Sequence, residues 1–187
     1  MALAVGERLV GTPACPTALV LLSTPGRPLD AVIHEQLMRL LAKQQATPEQ
    51  TKYFLDEDVR IAHAIKDTGK VPDDVPAGLK ALYPAYLGKF LQSDFATDPS
   101  KLAARVSGPV LVVIGEMDIQ VSPERDARPL IKALGTRTGN DSKLIIAPKA
   151  SHNLKRVKDD REPGQAGEIA PEVLDELCGW VSVHLAR

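Results

Sequence analysis

Residues Val110–Pro123 read VLVVIGEMDIQVSP, five consecutive apolar side chains that run into a glycine, a glutamate and then an aspartate. Successive side chains of a strand point to opposite faces, so a strand with one wet face alternates apolar and polar residues. VLVVI does not alternate. It predicts a strand covered on both faces, which is the habit of parallel sheets. In open α/β sheets, ligands and catalytic groups gather just beyond the carboxyl ends of the strands. Asp118 is therefore a candidate for chemistry, and the rest of the chain must supply its partners.

Two further runs resemble the first in length and composition: TALVLLS (Thr17–Ser23) and SKLIIAP (Ser142–Pro148). Each is rich in Val, Ile and Leu and bounded by Gly, Pro or Ser, as strands are. Between the second and third strands lies SPERDARPLIKALG, where Ser122 can cap a helix, Pro123 suits its first position and Gly135 can end it. This predicts a strand–helix–strand unit in a parallel sheet. After the third strand, APEVLDELCGWVSVHLAR opens with Pro171 and places Val173, Leu174, Leu177, Val181 and Leu185 along one stripe. A closing amphipathic helix packed on the sheet is expected there.

The segment from Pro28 to Ser100 differs in kind. LDAVIHEQLMRLLAKQQ carries a helical stripe of Val32, Ile33, Leu37, Leu40 and Leu41. TPEQTKYFLDEDVRIAHAIKD starts with Thr47, Pro48 and Gln50 in capping-box positions and continues with Phe54, Ile61 and Ile65. A broken stretch, GKVPDDVPAG, leads into LKALYPAYLGKFLQSDF, helical with an interruption at Pro84. So much helix between two strands exceeds a simple crossover. It reads as a helical cap over residues 28–100, inserted into a single α/β domain that spans 1–187.

The third strand runs into APKASHNLK, which puts His152 just past a strand end, on the same edge as Asp118. An acid after one strand and a histidine after the next is what a charge-oriented general base needs: the carboxylate fixes the tautomer and stabilises the imidazolium formed during proton transfer. Glu116 competes for the role of acid, but Asp118 begins the turn where ligands bind and is preferred.

From STPGRPL through DPSKLAARVSGPVLVVIGEMDIQVSPERDARPLIKAL and KLIIAPKASHNLK to the closing helix, the chain resembles the C-terminal part of an α/β-hydrolase. It is similar to capped serine hydrolases of the aminopeptidase, esterase and lysophospholipase type. The resemblance implies that Asp118 in GEMDIQV is the triad acid, that His152 in SHNLK is the triad histidine, and that the helices of 28–100 form the lid. It implies hydrolysis of a small-molecule ester or amide through an acyl-serine, with no metal or organic cofactor. That family carries its nucleophile in a GxSxG elbow between a strand and a helix. No such motif occurs in these 187 residues. MALAVGERL looks like the helix after the elbow, so the nucleophile, the oxyanion loop and the first strands are expected upstream of Met1. A non-catalytic remnant or binding module of the same fold is the alternative.

Other residues read more plainly. Ser23 ends the first strand without the elbow's glycines, and Ser151 is too close to His152 in sequence to meet its ring in line. His34, His63 and His184 lack metal-ligand spacing and read as surface or packing residues. Tyr83, Tyr86, Phe90 and Phe95 suit either a pocket under the lid or the core of the cap. KRVKDDREPGQAGE is of mixed sign and expected to be a solvated loop. The 23 basic and 24 acidic side chains nearly balance, which argues against nucleic acid or an anionic membrane as partner. No apolar run is long enough to span a bilayer, and Cys15 and Cys178 lack CxxC spacing, so free thiols and a cytoplasmic location are expected. An apolar first strand left at a sheet edge predicts self-association.

Overall fold

The computed structural model describes residues 1–137, 141–159, 162 and 164–185. In chain order its elements are α1 (Ala2–Arg8), β1 (Leu19–Leu22), α2 (Leu29–Lys43), α3 (Pro48–Thr68), α4 (Gly88–Phe95), α5 (Pro99–Ala103), β2 (Val110–Gly115), α6 (Arg128–Leu134), β3 (Ser142–Ala147) and α7 (Pro171–Leu185). The chain divides into two compact units: Met1–Arg27 with Pro99–Arg187, and Pro28–Asp98.

The first unit is built on a parallel sheet of order β1-β2-β3. Leu22 pairs with Val113, and Val113 with Ile145. Every residue of β2 is buried, and alternation along it explains why none is polar. Val110, Val112 and Ile114 join Leu19 and Leu21 in a core with Leu3 of α1, Ala103 of α5, and Leu130 and Leu134 of α6. Leu111 and Val113 face the other way, into a core with Ala147, Val173 and Trp180. Burial of each such side chain contributes on the order of 1.5–3 kcal/mol, so a polar residue on either face of β2 would be costly.

Ser122 caps the turn after β2, its hydroxyl accepting from the Arg125 N–H at 3.2 Å. A single π-helical turn, Pro123–Ala127, precedes α6, and Gly135 caps its end. In α7 the buried stripe departs from the sequence expectation. Leu174 is 41% exposed, whereas Val173, Trp180 and His184 are buried and Leu177 is half-buried. At 100° per residue, positions 173, 177, 180 and 184 fall within about 60° of one another and Leu174 lies outside them. The side chain of Leu185 lies outside the described residues, as do positions 160, 161 and 163 of the charged loop.

The second unit is helical. Thr47 and Gln50 form the expected capping box, the Gln50 Oε1 accepting from the Thr47 N–H at 2.9 Å. Gly69 ends α3 with φ +67°, a left-handed conformation that suits glycine. Ile33, Leu37, Leu41, Ile61, Ile65, Leu79, Tyr83, Leu91 and Phe95 make its core. Leu40, expected in the stripe of α2, is 45% exposed. The core follows the i, i+4 row from Ile33 to Leu41, which drifts around the helix and leaves Leu40 beyond its edge.

Candidate active site

Because the strands are parallel, Ser23, Asp118 and His152 all follow strand ends at one edge of the sheet. Asp118 sits in the turn after β2, its N–H donating to the Gly115 carbonyl at 3.2 Å. One carboxylate oxygen, Oδ1, accepts from the N–H groups of Gln120 and Val121 at 2.8 and 2.9 Å. This Asx-type turn holds the side chain in one orientation. The other oxygen, Oδ2, meets Nδ1 of His152 at 2.9 Å. In a neutral ring facing an ionised carboxylate, which only accepts, the proton sits on Nδ1 and Nε2 is left with a lone pair. The Asp118 side chain is fully buried and that of His152 is 27% exposed. A carboxylate shielded from water thus meets an imidazole that solvent can reach.

The loop that carries His152 is held over the end of β2. The Glu116 and Met117 N–H groups donate to the Ala147 and Ala150 carbonyls, each at 2.9 Å. Gly115 makes this approach possible: a Cβ there would lie 2.2 Å from the Ala150 oxygen and 2.3 Å from that of Ser151. Glu116 is exposed and its carboxylate accepts from the Lys149 N–H at 3.0 Å. It binds the loop backbone, whereas Asp118 meets the ring. Ser151 is buried and donates its hydroxyl to the Gly164 carbonyl at 3.1 Å. Ser23 donates its hydroxyl to the main-chain carbonyl of His152 at 2.6 Å, and this contact with the backbone has no signature in the sequence.

The remaining histidines and aromatics are placed as follows. His34 Nδ1 meets the buried Asp58 at 2.7 Å, and Tyr83 donates its phenol to the other Asp58 oxygen at 2.6 Å. Burial, reinforced by the hydrogen bond and charge of Asp58, pushes the Tyr83 phenol well above its ordinary pKa. His184 is buried, stacks on Trp180 with ring centroids 4.1 Å apart and meets Asp141 through Nε2 at 3.0 Å. His63, Tyr86 and Phe90 are exposed, and Phe95 packs in the helical core. Cys15 and Cys178 are free thiols. Among the described residues, no group of three or more His, Cys, Asp or Glu is placed to hold a metal ion. Among them too, no helix is long and apolar enough to cross a membrane.

The site is thus a parallel sheet covered on both faces, with an acid after one strand joined to a histidine after the next. The likeness to α/β-hydrolases read in the sequence is accompanied by similarity to an esterase and to an uncharacterized peptidase, each over part of its length. It is 25% identical over 166 residues to esterase EstD of Thermotoga maritima, covering 87% of this chain and 36% of the esterase. It is 34% identical over 87 residues to the uncharacterized peptidase YuxL of Bacillus subtilis, covering 46% of this chain and 12% of the peptidase. The chain thus spans about a third and about an eighth of the lengths of these two relatives. No protein-family model matches it. Among solved structures, DcsB in complex with a substrate analogue aligns with all of this chain and 61% of its own, at 17% identity and a TM-score of 0.44. BpoC of Mycobacterium tuberculosis H37Rv aligns with 81% of this chain and 56% of its own, at 21% identity and a TM-score of 0.39.

Proposed function

We propose that this chain carries the acid–base half of a serine hydrolase, with Asp118 as the orienting acid and His152 as the general base. The observation that carries the reading is the 2.9 Å contact between His152 Nδ1 and a fully buried Asp118 carboxylate. Kinship with an esterase supports ester hydrolysis as the family-level chemistry. The nucleophile is a serine supplied from outside these 187 residues, since no GxSxG occurs within them. The helices of 28–100 serve as the lid of the capped enzymes that the sequence resembles.

His152 Nε2 takes the proton of the incoming serine hydroxyl as its oxygen bonds to the substrate carbonyl carbon. The imidazolium, stabilised by Asp118, gives that proton to the leaving alcohol or amine as the ester or amide bond breaks. Water then repeats the sequence and releases the acid, with the serine proton restored. Asp118 keeps its charge throughout.

The test is steady-state hydrolysis of a short-chain aryl ester by the 187-residue chain, alone and fused behind a segment that supplies a strand–GxSxG–helix elbow. The fusion should be active. His152→Ala should abolish acylation, and Asp118→Asn should lower kcat by on the order of 10⁴, the loss that a wrong tautomer causes in a serine protease. Glu116→Gln should cost no more than a few-fold. Near-normal activity in Asp118→Asn with a dead Glu116→Gln would reassign the acid. Robust hydrolysis by the chain alone would show that the nucleophile lies within it, and an inactive fusion that binds the ester would favour a binding module of the same fold.

A further inference from the structure

We propose that Ser23 is a positioning residue for His152, holding the backbone of the histidine while Asp118 holds its ring. The inference deepens the reading above and rests on the Asp118–His152 pair it assigns. Ser23 follows β1, whereas His152 lies 129 positions later, after β3. With β2 between those strands, the serine closes a bridge from one side of the sheet to the other. Its N–H continues the ladder, donating to the Val113 carbonyl at 2.8 Å. Its hydroxyl donates to the His152 carbonyl at 2.6 Å. The residue is buried, so water competes poorly for either bond.

The backbone of Ser23 supplies an independent observation. Its φ is +45°, in the left-handed region that residues other than glycine, asparagine and aspartate seldom occupy. Such conformations persist where the surroundings over-determine them, and they gather at functional sites. Lys149 and Leu154, on either side of His152, also have positive φ, at +51° and +58°. Three of the four non-glycine residues with positive φ among those described therefore belong to the two segments that hold the histidine. A glycine would adopt the Ser23 backbone without strain. Serine in its place retains the strain and adds the hydroxyl that reaches the His152 carbonyl. Ring and backbone are thus fixed from different strands: Asp118 after β2 sets the imidazole, and Ser23 after β1 sets the loop from which the imidazole hangs.

The experiment reads the His152 ring and needs no nucleophile. A ring N–H sheltered in a hydrogen bond to a carboxylate gives a low-field proton resonance that an unsheltered one loses to exchange. In the 187-residue chain this signal should be present, and Asp118→Asn should remove or shift it, which assigns it. Ser23→Gly keeps the backbone conformation and deletes the hydroxyl, and Ser23→Ala deletes the hydroxyl and keeps the strain. Both should lose or severely broaden the His152 signal, with the Trp180 fluorescence of the folded sheet unit retained in Ser23→Gly. A His152 signal undiminished in Ser23→Gly overturns the positioning role and leaves the hydrolase reading untouched. A wild-type chain with no such signal removes the Asp118–His152 pair, and both readings fall. Signal loss in Ser23→Gly beside an inactive fusion enzyme would uphold the positioning role and sink the hydrolase reading alone.

Discussion

Replacing Gly115 by alanine tests how the strand ends bring Asp118 and His152 together. The added Cβ would lie 2.2 Å from the Ala150 oxygen and 2.3 Å from the Ser151 oxygen, both backbone atoms that cannot rotate aside. Cβ contacts under 3.0 Å are essentially never seen, so β2 and the loop must separate by about 0.8 Å. A displacement of that size would stretch the 2.9 Å bond from Met117 N to Ala150 O, and the 2.9 Å contact of His152 with Asp118, to about 3.7 Å. Both would then lie outside the ~2.7–3.2 Å range of N–H···O bonds. Overpacking of this kind costs roughly 1–3 kcal/mol. Trp180, the single tryptophan, is buried against the sheet and reports unfolding of that unit by fluorescence. With a urea slope of about 1–3 kcal/mol/M, the midpoint should fall by on the order of 1 M. The low-field His152 resonance should disappear in the same variant. An unchanged midpoint together with an intact resonance would refute the claim that Gly115 sets the approach of the loop.

Three other outcomes are expected. Asp126 is completely buried and accepts from the Gly26 and Ser122 N–H groups and twice from the Arg27 guanidinium, at 2.8–3.0 Å; because breaking a buried pair strands its partners, Asp126→Ala should cost about 3 kcal/mol in urea unfolding, less than the full buried-pair penalty since Arg27 retains some exposure. A loss under about 1 kcal/mol would show that the network contributes little net stability. Tyr83 has a folded pKa raised above its unfolded value, so the stability of its protonated form is fully present below about pH 10 and is lost as pH rises beyond it. Thermal stability should therefore fall above that pH in the wild type more than in Tyr83→Phe, and equal alkaline losses in the two would refute the linkage. Finally, β1 is a sheet edge among the described residues and Leu22 on it is exposed; sedimentation at micromolar concentration should show self-association, and a monomer would refute it.

Part of this architecture was legible in the sequence because its causes are local. VLVVI could be read as a doubly covered strand, since side-chain alternation is a property of the strand itself. The Thr47–Gln50 capping box and the Ser122 and Gly135 boundaries could be read because a cap and its partner lie within a few residues. The stripes of α2 and α7 were legible only in outline: periodicity located each helix, but neighbouring elements decided that Leu40 and Leu174 stay exposed and that Trp180 and His184 go inside. Asp118 and His152 could be nominated from their places after strands, although their 34-residue separation hid whether they touch. Ser23 could not be nominated for its role, nor Gly115 for the approach it allows, nor Asp126 as the acceptor of a buried network. Each depends on atoms brought together by parallel pairing from distant parts of the chain. The sequence by itself determined which segments become strands and helices, through periodicity and capping. Only the tertiary structure decided which backbone carbonyl meets which hydroxyl, because that requires the strands to be in register.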